Sequence, residues 1–178
     1  MVADIGTGSG AIAIAVAKHA PACRVVAIDV SPAALAVAKT NAAALGVADR
    51  VEFRQGDLLA DVPAQPLFTV IASNPPYVSE SEYEKLPPDV KDQEPRQALL
   101  AGPTGAEVIE RLIPQAAERL IPDGWLIVEL SPMIAERVVG LIVADGRFAP
   151  ATLIKDLAGH ARVVQAQRLN GQTTAGGD

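Results

Sequence analysis

Four consecutive residues, Asn74-Pro75-Pro76-Tyr77, have types and an order that could do chemistry. They follow directly on the apolar run LFTVIAS at 67–73, which reads as a buried strand. In an open α/β sheet the end of such a strand faces the crevice where ligands bind. An amide or aromatic amino nitrogen is a poor nucleophile, because its lone pair is delocalised into the neighbouring π system. Methyl transfer to it needs that lone pair freed and aimed in line with the departing group. Two acceptors gripping the NH2 hydrogens would achieve this: the side-chain oxygen of Asn74 and the carbonyl oxygen of Pro75. Pro75 and Pro76 bring no competing N–H and stiffen the turn, and the Tyr77 ring can stack on a flat group. The plain alternative is a rigid turn, since Asn-Pro pairs favour turns on their own.

A second constellation lies upstream. Gly6-Thr7-Gly8-Ser9-Gly10 falls between an expected first strand at 2–5 and an expected helix at 11–19. Glycines there let a ligand lie against bare backbone near the positive end of the helix. A tight turn with no ligand is one alternative, and a nicotinamide cofactor is another. The dinucleotide fingerprint, however, wants a glycine three residues after its second, and that place holds Ala11 or Ala13, depending on register. Asp29 ends the next expected strand, 24–29, where a carboxylate can accept both hydroxyls of a ribose. Helix capping is its alternative role, though Ser31 already offers that cap. After the third strand, 51–54, Asp57 could accept from an adenine amino group while Leu58 covers the ring; an ordinary Gly-Asp turn is the alternative. Bare backbone and acceptors at three adjacent strand ends describe an adenosine pocket without a phosphate clamp, which suits S-adenosylmethionine.

The elements that must position these residues alternate between strand and helix. Beyond those named, a helix is expected at 33–45, capped by Ser31 with Pro32 at its first position and closed by Gly46. Residues 78–103 read as a long polar loop with one helical turn. A helix is expected at 104–120, then a Pro122-Asp123-Gly124 turn and a strand at 125–130. Ser131-Pro132 repeats the cap for a helix at 133–144, and strands at 148–154 and 162–167 close the domain. This order predicts an α/β fold with helices on both faces of a mostly parallel sheet. The last two strands are joined by too short a link for a parallel crossover, so they should run antiparallel. Residues 1–169 form one methyltransferase-type domain on this reading, and 170–178 a polar tail expected to be disordered. The glycine loop starts so early that the first strand is barely long enough to sit mid-sheet, so an upstream segment is expected.

Composition narrows the class. Of 178 residues 49% are hydrophobic but only 3% aromatic, so the core must be built from Val, Ile, Leu and Ala, as in a buried parallel sheet. No apolar run approaches the roughly 20 residues that span a bilayer, and no secretory signal is readable. Cys23 is the single cysteine, which excludes an internal disulfide and a multi-cysteine metal site; it reads as a small buried residue. A cytoplasmic monomer is expected. The net charge of −6 disfavours a duplex-gripping surface. His19 and His160 read as solvated, and the acidic stretch 80–84 as a solvated loop or a surface for a basic partner.

Asp4 to Gly10, Asp29, and Asn74 to Tyr77 together resemble the HemK/PrmC family of protein-(glutamine N5) methyltransferases. So do Glu94-Pro95 with Ala98-Leu99 and Gly102, and Asp156-Leu157-Ala158-Gly159 before the last strand. That resemblance implies a Rossmann-like class I S-adenosylmethionine-dependent methyltransferase fold, with a seven-stranded sheet and one antiparallel strand near the C-terminus. It implies cofactor contacts at Gly6, Thr7, Gly8, Ser9, Gly10, Asp29, Asp57, Leu58 and Asn74, and a substrate glutamine held by Asn74, Pro75, Pro76 and Tyr77. The implied partner is a peptide chain release factor, methylated in its Gly-Gly-Gln motif; no metal is implied. Asn-Pro-Pro-Tyr is shared with adenine- and guanine-amino methyltransferases, and the Glu-Pro-x-x-Ala-Leu segment points to the glutamine branch. Two departures stand out. The family's N-terminal helical domain has no counterpart here, and Glu129-Leu130-Ser131-Pro132 replaces a Glu soon followed by Gly, a change expected to alter only a turn. A nucleic-acid amino methyltransferase and a cofactor-binding fragment without turnover remain the alternatives.

Overall fold

Short apolar strands joined through helices give one twisted sheet, in a computed structural model that describes residues 1–87, 91 and 95–170. The first half runs β1 (Val2–Ile5), α1 (Ala11–His19), β2 (Val25–Asp29), α2 (Pro32–Ala44), β3 (Val51–Gln55) and β4 (Phe68–Ser73). The chain then makes a side excursion through β5 (Val78–Ser79), α3 (Glu80–Lys85), α4 (Arg96–Leu99) and β6 (Leu100–Gly102). It returns through α5 (Glu107–Arg119), β7 (Leu120–Glu129), α6 (Ala135–Asp145), β8 (Thr152–Lys155) and β9 (Ala161–Gln167). The seven-stranded order is β3-β2-β1-β4-β7-β9-β8. Only β9 is reversed, antiparallel to both β7 and β8, as the short link between the last two strands requires. Among the described residues no helix is long and apolar enough to cross a membrane.

Capping chemistry sets several boundaries. The Ser31 hydroxyl accepts from Ala34 N at 3.2 Å and starts α2 at Pro32. Ser131 accepts from Met133 N at 3.3 Å, but the cap opens a 3₁₀ turn, Pro132–Ile134, and α6 begins only at Ala135. Four expectations are corrected. Pro122 to Gly124 do not merely precede β7; they are a bulge within it, the ladder jumping from Leu120 opposite Phe68 to Trp125 opposite Val70. The strand expected from 148 starts at Thr152, because Pro150 has no N–H for the ladder, and Phe148 keeps only an isolated bridge to Arg168. The acidic stretch 80–84 is a helix, α3, started by a capping box in which Ser79 and Glu82 exchange side-chain and backbone hydrogen bonds. Among the described residues, 78–103 accordingly include the short helices α3 and α4 and a parallel ribbon of β5 with β6. Glu94 and residues 171–178 of the expected tail lie outside the described residues.

The sheet is covered on both faces. Ile109, Leu112 and Ile113 of α5 and Val138 and Ile142 of α6 pack with Ile5, Ile71, Leu126 and Val128 in the larger apolar cluster. Ala13, Ile14 and Ala17 of α1 join Ala42 of α2, Val25, Ala27 and Val51 in the smaller one. Alanines let these helices come close, and Gly10, which caps α1, lies directly against α2. A Cβ at Gly10 would lie 3.0 Å from Ile14 Cδ1 and 3.1 Å from Ala38 Cβ, and its φ of +86° already favours glycine.

Candidate active site

The crossovers leave β1 and β4 in opposite directions, so a crevice opens between their carboxyl ends. Register places Ile5 beside Ser73, and the Ser73 hydroxyl donates to Ile5 O at 2.8 Å. The glycine loop and Asn74 therefore start side by side, with a Cβ at Gly6 only 3.9 Å from Asn74 O. The cleft there has a volume of about 940 Å³, near the top of the range for small-molecule sites. Gly6, Thr7, Gly8, Ser9, Asp29, Asp57, Leu58, Asn74, Pro75, Pro76 and Tyr77 all line it. Gly10 does not: it starts α1 and packs on α2.

Two carboxylates hold the glycine loop from beneath. Asp4 is 1% exposed, and its Oδ2 accepts from the Thr7 hydroxyl at 2.6 Å and from Ala13 N at 2.9 Å. Burial pushes the Asp4 carboxyl above its ordinary range, while those two hydrogen bonds pull it back. Its Oδ1 is buried with no hydrogen-bond partner among the described residues. Asp29 accepts from Gly8 N through Oδ2 and from Ser31 N through Oδ1, both at 2.8 Å, so it fastens the loop to the end of β2. Sequence reasoning gave Asp4 no role of its own. The signal was a charged residue inside an apolar strand, since a buried carboxylate persists only with partners.

The Asn-Pro-Pro-Tyr side is built differently. Asn74 is exposed over the cleft, Pro75 is buried, and Pro76 and Tyr77 are half-buried. Gly105 backs the turn: a Cβ there would come within 2.7 Å of Tyr77 O. Pro95, Gln97, Ala98, Leu99 and Leu100 reach the same cleft, so the described part of the Glu-Pro-x-x-Ala-Leu segment shares it with Asn74. Val108, Arg111 and Glu129 also line it and were not expected there; nothing local marks Val108 or Arg111, whereas Glu129 is a carboxylate at the end of β7, the same signal that Asp29 gives at the end of β2. His19 and His160 are exposed, and Cys23 is half-buried rather than buried.

Charge favours a cation in this cleft. Among its described lining residues Asp29, Asp57 and Glu129 are acidic, and Arg111, the one cation, is already paired with Asp57. A pyrophosphate would meet no unpaired cation there, whereas a sulfonium or ammonium group would meet carboxylates. Leu58, beside Asp57, has φ +54°, a conformation costing on the order of 1–3 kcal/mol in a residue with a side chain.

Comparison with known proteins agrees with this geometry. Residues 1–86 match the family model "Methyltransferase small domain". The chain is 50% identical over 167 residues to the release factor glutamine methyltransferase of Rhodopirellula baltica, covering 94% of this chain and 56% of that protein. It is 42% identical to the enzyme of the same name from Koribacter versatilis, with 94% and 58% covered. The chain thus spans a little over half the length of the curated relatives it matches. Among solved structures, a ribosomal protein L11 methylase from Lactobacillus delbrueckii subsp. bulgaricus superposes with a TM-score of 0.65 at 25% identity, covering 95% of this chain and 69% of that one. An RNA methyltransferase from Salinibacter ruber in complex with S-adenosyl-L-homocysteine gives 0.58 at 26% identity, covering 95% and 80%. With this sheet and this glycine loop, the chain has the class I S-adenosylmethionine-dependent methyltransferase fold, and over nearly its whole length it is similar to release factor glutamine methyltransferases.

Proposed function

We propose that this chain binds S-adenosylmethionine between the glycine loop and Asn74 and methylates the side-chain amide nitrogen of a protein glutamine, in the Gly-Gly-Gln motif of a peptide chain release factor. The observation that carries the reading is the shared cleft: an acidic, phosphate-clamp-free pocket meets Asn-Pro-Pro-Tyr at the switch point of the sheet. When bound, the cofactor supplies a sulfonium methyl, which joins nitrogen as the thioether leaves and the nitrogen gives its proton to water. Bare backbone at Gly6 and Gly8 lets it lie close, and the second lone pairs on the Asp29 oxygens remain for the ribose hydroxyls. Asp57 and Leu58 form the wall for the adenine. Asn74 and Pro75 accept from the substrate NH2 group and so orient its lone pair, with Tyr77 against its flat face. Positioning of this kind lowers the barrier by several kcal/mol. The relatives from Rhodopirellula, Koribacter and Moorella are all named release factor glutamine methyltransferase, which favours glutamine over a nucleic-acid base.

Calorimetric titration tests the cofactor. S-adenosylhomocysteine should bind and NAD should not, and Asp29→Ala should weaken binding by about 1–3 kcal/mol, the range for hydrogen bonds to a charged group. Tighter binding of NAD would overturn the reading.

A further inference from the structure

One face of α5 carries Arg111, Gln115 and Arg119 at four-residue spacing, and each grips a different point of the segment after β3. Arg111 Nη2 donates to Asp57 Oδ2. The Gln115 Oε1 accepts from Leu59 N at 2.8 Å, and Arg119 Nε donates to Val62 O at 2.9 Å. Leu59 and Val62 are buried, so that end of the segment is fixed in the core. Leu58 sits between the first two grips with its φ of +54°, while it and Asp57 line the cleft. A residue held in the left-handed region stays there only if its neighbours are fixed, and α5 reaches the residue on each side of it.

Resting on the assignment of Asp57 and Leu58 to the adenine, we propose that Arg111 and Gln115 are positioning residues that set which base the cleft accepts. Arg111 occupies Asp57 Oδ2, and Oδ1 makes no hydrogen bond among the described residues, so it is the acceptor turned over to a 6-amino group. A base with a 6-oxo group would set one acceptor against another and be rejected. Without the grip of Arg111 the carboxylate can turn away. Without Gln115, Leu58 can relax to negative φ and withdraw its side chain from the ring.

The test titrates the chain with S-adenosylhomocysteine and with S-inosylhomocysteine, which differs by a 6-oxo group. Wild type should prefer the adenosyl compound by at least about tenfold, the discrimination expected where the ligand covers an acceptor and leaves it without a donor. Arg111→Met and Gln115→Met should each cut that ratio by about threefold or more, and Gln115→Glu, which keeps an acceptor for Leu59 N, should restore it. Thermal melts supply a second readout: in a Leu58→Gly background, Gln115→Met should cost more stability than it does alone, because a glycine has no strain to release when the grip is lost. A ratio that stays at the wild-type value in both Met variants would overturn the proposal while leaving the cofactor assignment standing. If wild type binds neither compound, the adenine wall and this proposal fall together.

Discussion

Asn74 is exposed above the cleft while the proline after it is buried, so the side chain is presented by a turn that cannot easily move. Its amide oxygen matters most when the acceptor nitrogen begins to carry positive charge, since an acceptor aimed at developing charge acts on the transition state rather than on binding. Asn74→Ala should therefore lower kcat by about 100-fold or more, on the scale of losing one such group. Affinity for S-adenosylhomocysteine should change by no more than about fivefold, one ordinary hydrogen bond. Steady-state kinetics with a parallel titration separates the two. A raised KM with unchanged kcat would mean that Asn74 only holds ligands.

Between elements, Asp4 joins β1 to the first turn of α1, accepting from Ala13 N and from Thr7 in the intervening loop. Burial raises its pKa above the ordinary 3.8, with the nearby Asp29 adding to the rise. The fold therefore favours the protonated form: stability from this group is greatest below the ordinary carboxylate pKa and is lost as pH rises through the raised value. Asp4→Asn keeps one acceptor and carries no charge, so it should flatten that part of the profile. Melting temperatures of both forms across the mildly acidic range would check this, and identical slopes would refute it. Elements like these were legible in the sequence where periodicity and caps agree: short apolar strands, Ser31-Pro32, and the short link that makes β9 antiparallel. Residues 78–102 were not, because strands of two and three residues carry no pattern and the ribbon β5–β6 exists only through tertiary pairing. The bulge at Pro122 to Gly124 was read as a turn, since bulge and turn use the same residues. In the site, the loop, Asp29 and Asn74 announced themselves through type and position. Arg111 could not, because its partner Asp57 is 54 residues away in sequence.

For the whole molecule, two halves of one sheet bring a cation-favouring pocket and the Asn-Pro-Pro-Tyr turn to the same opening, while the chain carries a net charge of −6. Neither half alone defines a methyl transfer to glutamine: the pocket serves many methyl acceptors, and the Asn-Pro-Pro-Tyr turn serves nucleic-acid amino groups equally well. The acceptor distinguishes these enzymes, and one assay identifies it. The chain is incubated with methyl-radiolabelled S-adenosylmethionine and, separately, a peptide chain release factor, the same factor with the glutamine of its Gly-Gly-Gln motif changed to alanine, and adenine-containing DNA. Label should appear on the intact release factor, with none on its glutamine-to-alanine variant and none on DNA; label on DNA alone, or equal label on both forms of the factor, would rule out glutamine as the acceptor.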